Sequence, residues 1–256
     1  VSVALALIAT KTLHCKVGSR SLLIMNKKSV KAASRRRPAL TQQHIIETAL
    51  VLIENDGLLA FSMRKLAQAL SCEAMSLYHH FPSKAHLMDG LLDWVLAKSM
   101  TLDSEGEPFQ CLRDIALQFR AMGLKYPHFY QHLALHRWNT PDSVKLLASM
   151  VDLFFEAGFD NEHSARLSRA FCYYVIGAVL DETSGYAKGP SAVQPVSDDF
   201  IACEYPQLAA VSVYFKPEHY QSTYETGVDI FIEHFRALLK KQKKSASEAK
   251  RSRNNQ

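Results

Sequence analysis

One stretch of twenty-three residues, Ser62 to Lys84 (SMRKLAQALSCEAMSLYHHFPSK), limits what this chain can fold into more than any other. Met63, Leu66, Ala67 and Leu70 recur at i, i+3, i+4 and i+7, the spacing of one helical face. A short helix is therefore expected over Met63–Ala69, with Ser62 as its N-cap. A second fits Ala74–His80, with Met75, Leu77, Tyr78 and Phe81 on its buried side. Pro82 ends it, because the residue before a proline is pushed out of the α region. Two short helices joined by a tight turn form a helix-turn-helix, and its second helix has the width to enter the DNA major groove. Read by pattern alone, the same pair also fits ordinary packing in a helical bundle.

Residue identities separate the two readings. Arg64-Lys65-Leu66-Ala67, Leu70, Leu77-Tyr78, His80-Phe81 and Lys84 resemble the DNA-binding domain of the TetR family of transcriptional repressors, with the resemblance running from about Thr41 to Leu92. It implies an all-α protein: an N-terminal three-helix domain with a helix-turn-helix, followed by a helical ligand-binding and dimerisation domain. Glu73, Ala74, Met75 and Ser76 open the second helix, the end that meets base edges. By family position, Arg64 is a base-contacting residue, and Tyr78, His79 and Lys84 contact phosphates. The bland reading of these residues is surface polarity, with Tyr78 partly in the core. One position departs from the family pattern: Ser71 stands where glycine is usual, so a side chain must meet a left-handed turn at a cost of about 1–2 kcal/mol.

Charge is distributed unevenly. Residues 1–37 hold nine Lys and Arg and no acid, and residues 236–256 hold eight against the single Glu248, which leaves the middle of the chain net acidic although the whole is +5. A basic tail in isolation reads as a solvated end, and residues 242–256 are read that way. The flexible basic segment 1–37 is different because its Arg35, Arg36 and Arg37 abut the reader domain, where an arm can reach phosphates or the minor groove. Val1–Thr10 is apolar but too short to span a bilayer, and its charges follow the apolar run, the reverse of a secretory signal. Translation is expected to start at Met25. Five cysteines, at 15, 72, 111, 172 and 203, include no CxxC pair, so neither a disulfide framework nor a zinc finger is expected and a reducing cytoplasm fits.

Around the reader, at residues 38–92, a first helix is expected over Thr41–Asn55, stopped at Asp56-Gly57, with Leu58, Leu59 and Phe61 in the core. Ser83 caps a helix over Lys84–Met100, which leads into a regulatory domain at residues 93–241. Helices are expected there from Pro108 to Lys125, His128 to Leu135, Pro141 to Glu156 and Glu162 to Ser184. A long loop should run from Gly185 to Pro206, a short helix over Leu208–Phe215, and a last helix from Pro217 to about Lys241. No strand pattern or internal repeat is visible.

The second half, Phe109 to Leu239, is similar to the regulatory domain of tetracycline repressors, most clearly at Arg166–Glu182 (RLSRAFCYYVIGAVLDE) and in the final helix. The resemblance implies a homodimer built on the last two long helices and a small-molecule pocket in each subunit. Trp94, Phe119, Met122, Phe129, His132, His136, Trp138, Phe154, Tyr173 and Gly177 are the candidate lining. Each alone reads as core, but together they suit an apolar, partly aromatic effector. His136 and Asp181 fall where the resemblance implies metal-binding groups. Yet Met100 and Ile115 replace the polar anchors implied for the drug, so tetracycline is not the expected ligand. No cofactor, metal or membrane partner is expected.

The resulting expectation is a dimeric, effector-responsive repressor of a palindromic operator in double-stranded DNA. The alternative is a helical metal-dependent enzyme built on His132, His136 and Asp181. Against it, HExxH, GxSxG and phosphate-binding glycine loops are all missing.

Overall fold

The computed structural model describes residues 40–101, 106–184 and 196–254, and every regular element among them is helical. Helix α1 (Gln42–Asp56) starts where the Thr41 hydroxyl accepts from the His44 amide at 3.2 Å. It stops at Gly57, whose φ of +79° a side chain would resist. Ile45, Ile46, Ala49, Leu50 and Ile53 form its buried stripe. After a 3-10 turn (Leu58–Ala60) come α2 (Met63–Ala69), α3 (Ala74–His80) and α4 (Lys84–Ser99), with Ser62 and Ser83 capping α2 and α4 through their hydroxyls. Between α2 and α3, Ser71 sits at φ +52°, so the turn does take the left-handed geometry with a Cβ in place.

Three side chains expected to be buried, Leu59, Met75 and Tyr78, are exposed. Leu59 is fully exposed, because the 3-10 turn directs Phe61 inward instead, and Met75 is 66% exposed. A seven-residue helix offers only a narrow face to a core, and Leu77 with the following Phe81 fills that of α3.

The second half is a layered bundle: α5 (Pro108–Lys125), α6 (Pro127–Leu135), α7 (Pro141–Ala157), α8 (Asn161–Ser184) and α11 (Tyr220–Asn254). Helix α5 lies at its centre and touches α4, α6, α7, α8 and α11. Two glycines let helices approach closely. A Cβ on Gly123 would lie 2.2 Å from Val179 of α8, and one on Gly227 of α11 would lie 2.0 Å from the Tyr174 hydroxyl. That hydroxyl donates to the Tyr224 carbonyl at 2.8 Å, and the Tyr224 hydroxyl donates to the Ala116 carbonyl at 2.7 Å. Beside them Arg120 forms a bidentate pair with Glu182. At the other end of the bundle, Phe109, Phe154, Phe159, Phe171, Phe231 and Phe235 form one aromatic cluster.

Part of the segment expected to be a loop is helical: α9 (Asp198–Glu204) is capped by the Ser197 hydroxyl, and α10 (Pro206–Val211) follows. Residues 185–195 lie outside the described residues. The last helix continues past Lys241 to Asn254, thirteen residues further than expected, after a 3-10 turn over Pro217–His219. The added turns are charged and polar and contain neither glycine nor proline, so nothing stops the helix once its apolar stripe ends.

Candidate functional site

The reader surface is assembled by burial of what lies beneath it. Leu66, Ala67 and Leu77 are buried where α3 packs on α2 and α2 on α1, which fixes the outward face of α3. Arg64, Glu73, Met75, Tyr78, His79 and Lys84 are exposed, and Ala74 and Ser76 are half-buried along the same helix. The Lys84 ammonium donates to the Phe61 carbonyl at 3.1 Å and lies 5.3 Å from the centre of the Phe61 ring. It is thus held at the N-terminus of α4, where free amides favour an anion. Arg35, Arg36 and Arg37 lie outside the described residues.

The ten candidate pocket residues divide. Phe119 and Trp138 stack with ring centres 6.1 Å apart and planes 10° from parallel. Phe129, His132 and His136 form a run along and just after α6, with the two imidazoles 4.6 Å apart. Met122 is buried and Trp94 half-buried against the core. Phe154 belongs instead to the phenylalanine cluster near α11. Tyr173, 64% exposed, lies on the outer stripe of α8 with Gly177, turned from the Phe119–Trp138 side by the helical period. Tyr173 and Gly177 therefore do not join the others within a subunit. An open groove of about 180 Å³ between α8 and α11 is lined by Tyr174, Ala178, Asp181, Glu182, Tyr220, Thr223 and Tyr224, none of them in the sequence-derived set.

Polar groups concentrate where α4 meets the end of α6 and the start of α7. His136 Nε2 donates to Asp89 Oδ1, and the Thr140 hydroxyl, which also caps α7, donates to Asp93. Burial pushes the Asp93 carboxyl above its ordinary value, a shift opposed by the Thr140 hydrogen bond. Burial, aided by the charge of His136, pushes His132 down, and its Nε2 has no hydrogen-bond partner. Asp181 is on the groove side of α8, and no cluster of three or more His, Cys, Asp or Glu with metal-binding geometry occurs among the described residues. The constellation required by the enzyme alternative is not assembled there.

Sequence reasoning missed Asp89, Asp93 and Glu54. Their partners are 47 to 75 residues away, so no local spacing signals them.

Comparison with known proteins agrees with this architecture. A family model for bacterial regulatory proteins of the tetR family matches residues 45–91, and one for the tetracyclin repressor-like C-terminal domain matches residues 103–239. The class E tetracycline repressor of Escherichia coli is 31% identical over 147 residues, covering 56% of this chain and 69% of that protein. The class D repressor of Escherichia coli is also 31% identical, over 148 residues, covering 56% and 66%. Among solved structures, Streptomyces coelicolor ActR with actinorhodin bound superposes with a TM-score of 0.62 at 23% identity, covering 78% of this chain and 99% of that one. TetR from Acinetobacter baumannii AYE gives 0.58 at 24%, covering 78% and 99%. No helix among the described residues is long and apolar enough to cross a membrane. With one family model spanning more than half of its length and another on its helix-turn-helix, the chain belongs to the TetR family of bacterial transcriptional regulators.

Proposed function

We propose that this protein is a homodimeric repressor that binds a palindromic operator and is released by a small apolar or aromatic effector. The observation that carries the reading is the exposed face of α3, offering Met75, Tyr78 and His79 from a helix whose other face is locked by Leu77. A rigid helix with an exposed polar face, flanked by Arg64 and Lys84, suits base edges and phosphates. Arg35, Arg36 and Arg37 would add contacts from an N-terminal arm. The role places the protein in the cytoplasm, with the DNA.

Dimerisation is supported by the outer faces of α8 and α11. Tyr173 and Gly177 on one and Ile230 on the other are exposed in the single subunit, as befits two helices of a four-helix bundle. Within each subunit, Phe119, Met122, Phe129, His132, His136 and Trp138 would receive the effector, with Trp94 at the margin. ActR, which shares the fold, has been captured with actinorhodin, and an aromatic ligand fits the stacked Phe119 and Trp138. Met100 and Ile115, both apolar and at least partly buried, offer no polar anchors to a tetracycline. The effector acts by preferring the dimer geometry in which the two readers no longer match successive grooves.

A mobility-shift titration with DNA flanking the coding region tests this reading. A retarded band that resists unrelated competitor DNA is expected. Absence of any specific band at low salt overturns it.

A further inference from the structure

Six helices among the described residues are capped by the side chain of the residue that precedes them. Thr41, Ser62, Ser83, Glu107, Thr140 and Ser197 each accept from an amide two or three residues downstream in the helix they open. Helix α6 has no such cap, since Tyr126 precedes it without a side-chain bond. Its first amides are satisfied from the reader domain. Glu54 of α1 accepts from the His128 amide at 3.2 Å and from the Phe129 amide at 2.8 Å. The exchange is mutual, because His128 Nδ1 lies 2.8 Å from the Glu54 carbonyl and donates to it. That carbonyl is among the last four of α1, which lack partners inside their own helix.

We propose that Glu54 and His128 form a reciprocal cap that locks the reader domain to the regulatory domain. A carboxylate on two helix N-terminal amides is a charge-assisted, directional contact. Helix α6 cannot slide or tilt at this end without either carrying α1 along or stranding the amides of His128 and Phe129. At its other end α6 runs into His136, which is held by Asp89 of α4. The nine-residue helix α6 is thus pinned at both ends to helices of the reader, so its position sets the reader's orientation. On the regulator reading above, this is where a displacement near His132 and His136 becomes a displacement of α3.

Hydrogen exchange on the full-length protein, without DNA or effector, tests the lock separately from the regulator reading. The reporter is the α2–α3 region, residues 63–81, which contains neither partner. Glu54→Ala and His128→Leu should each speed its exchange about tenfold, and the double variant should be at least as fast as the faster single one, because each side chain bonds to a different backbone group of the other helix. Glu54→Gln, which keeps the shape and a weaker acceptor, should fall between wild type and Glu54→Ala and serves if the alanine variant does not fold. Faster exchange confined to residues 124–131, or unchanged exchange at residues 63–81 in both single variants, would overturn the proposal.

Discussion

His136 Nε2 donates to Asp89 Oδ1 across 2.7 Å, joining the residue that ends α6 to the helix that carries the reader. The imidazole beside it, His132, is held below its ordinary pKa by burial and next by the charge of His136. Between that depressed value and the ordinary one of about 6.5, the unfolded chain binds more protons at His132 than the folded chain does. Stability from this site is therefore complete above about pH 6.5 and declines as pH falls below it. Urea midpoints measured at about pH 7.5 and pH 5.5 should drop more in wild type than in His132→Leu. Equal drops would show that His132 does not titrate in this way.

Ser71 adopts φ +52° in the turn between α2 and α3, a region that disfavours any side chain. Ser71→Gly should stabilise the protein by up to about 1 kcal/mol, the relieved strain less the entropy glycine adds to the unfolded chain. A thermal-unfolding midpoint that rises by a few degrees would agree. A lower midpoint would mean that interactions of the serine side chain outweigh the strain.

Gly123 faces α8 so closely that a methyl group would meet Val179 at 2.2 Å and Tyr130 at 3.1 Å. The site is buried and both neighbours are core residues, so Gly123→Ala should cost about 1–3 kcal/mol or more by overpacking. Denaturant unfolding reads this directly. An unchanged midpoint would show that α8 gives way to the added methyl group without cost.

The two kinds of DNA contact should separate by mutation. Tyr78→Ala and Lys84→Ala should weaken binding similarly for every operator sequence, and loss of the Lys84 charge should also reduce the salt dependence by about one phosphate contact. Arg64→Ala should lower discrimination at one base pair by about 1–3 kcal/mol. Anisotropy titrations against a set of single-base operator variants distinguish these patterns. A sequence-independent loss at Arg64 would reassign it to the phosphates.

Much of this architecture is written locally. The stripes Ile45, Ala49, Ile53 and Met63, Leu66, Ala67, with their Thr41 and Ser62 caps, define α1 and α2 from spacing and cap chemistry alone, and Pro108 and Pro141 mark the first residues of α5 and α7. What spacing did not reveal depends on distance in the chain or on balance within a short helix. Glu54 meets α6 across more than seventy residues. Met75 shares a helix with Leu77, and only the packing against α2 decides which of the two is buried. Tyr173 and Phe154 are aromatic residues on amphipathic helices, and sequence period alone cannot say whether such a side faces a ligand, a neighbouring helix or a second subunit. The Arg120–Glu182 pair, 62 residues apart, was hidden for the same reason.

The central claim is that two copies of α3 read successive major grooves on one face of DNA. Hydroxyl-radical footprinting on the DNA flanking the coding region tests it most directly. Two protected patches related by twofold symmetry, with centres about one helical turn or a whole number of turns apart, are predicted, and both should disappear when Tyr78 and Lys84 are replaced by Ala. A single asymmetric patch, or protection that survives those replacements, would contradict the account.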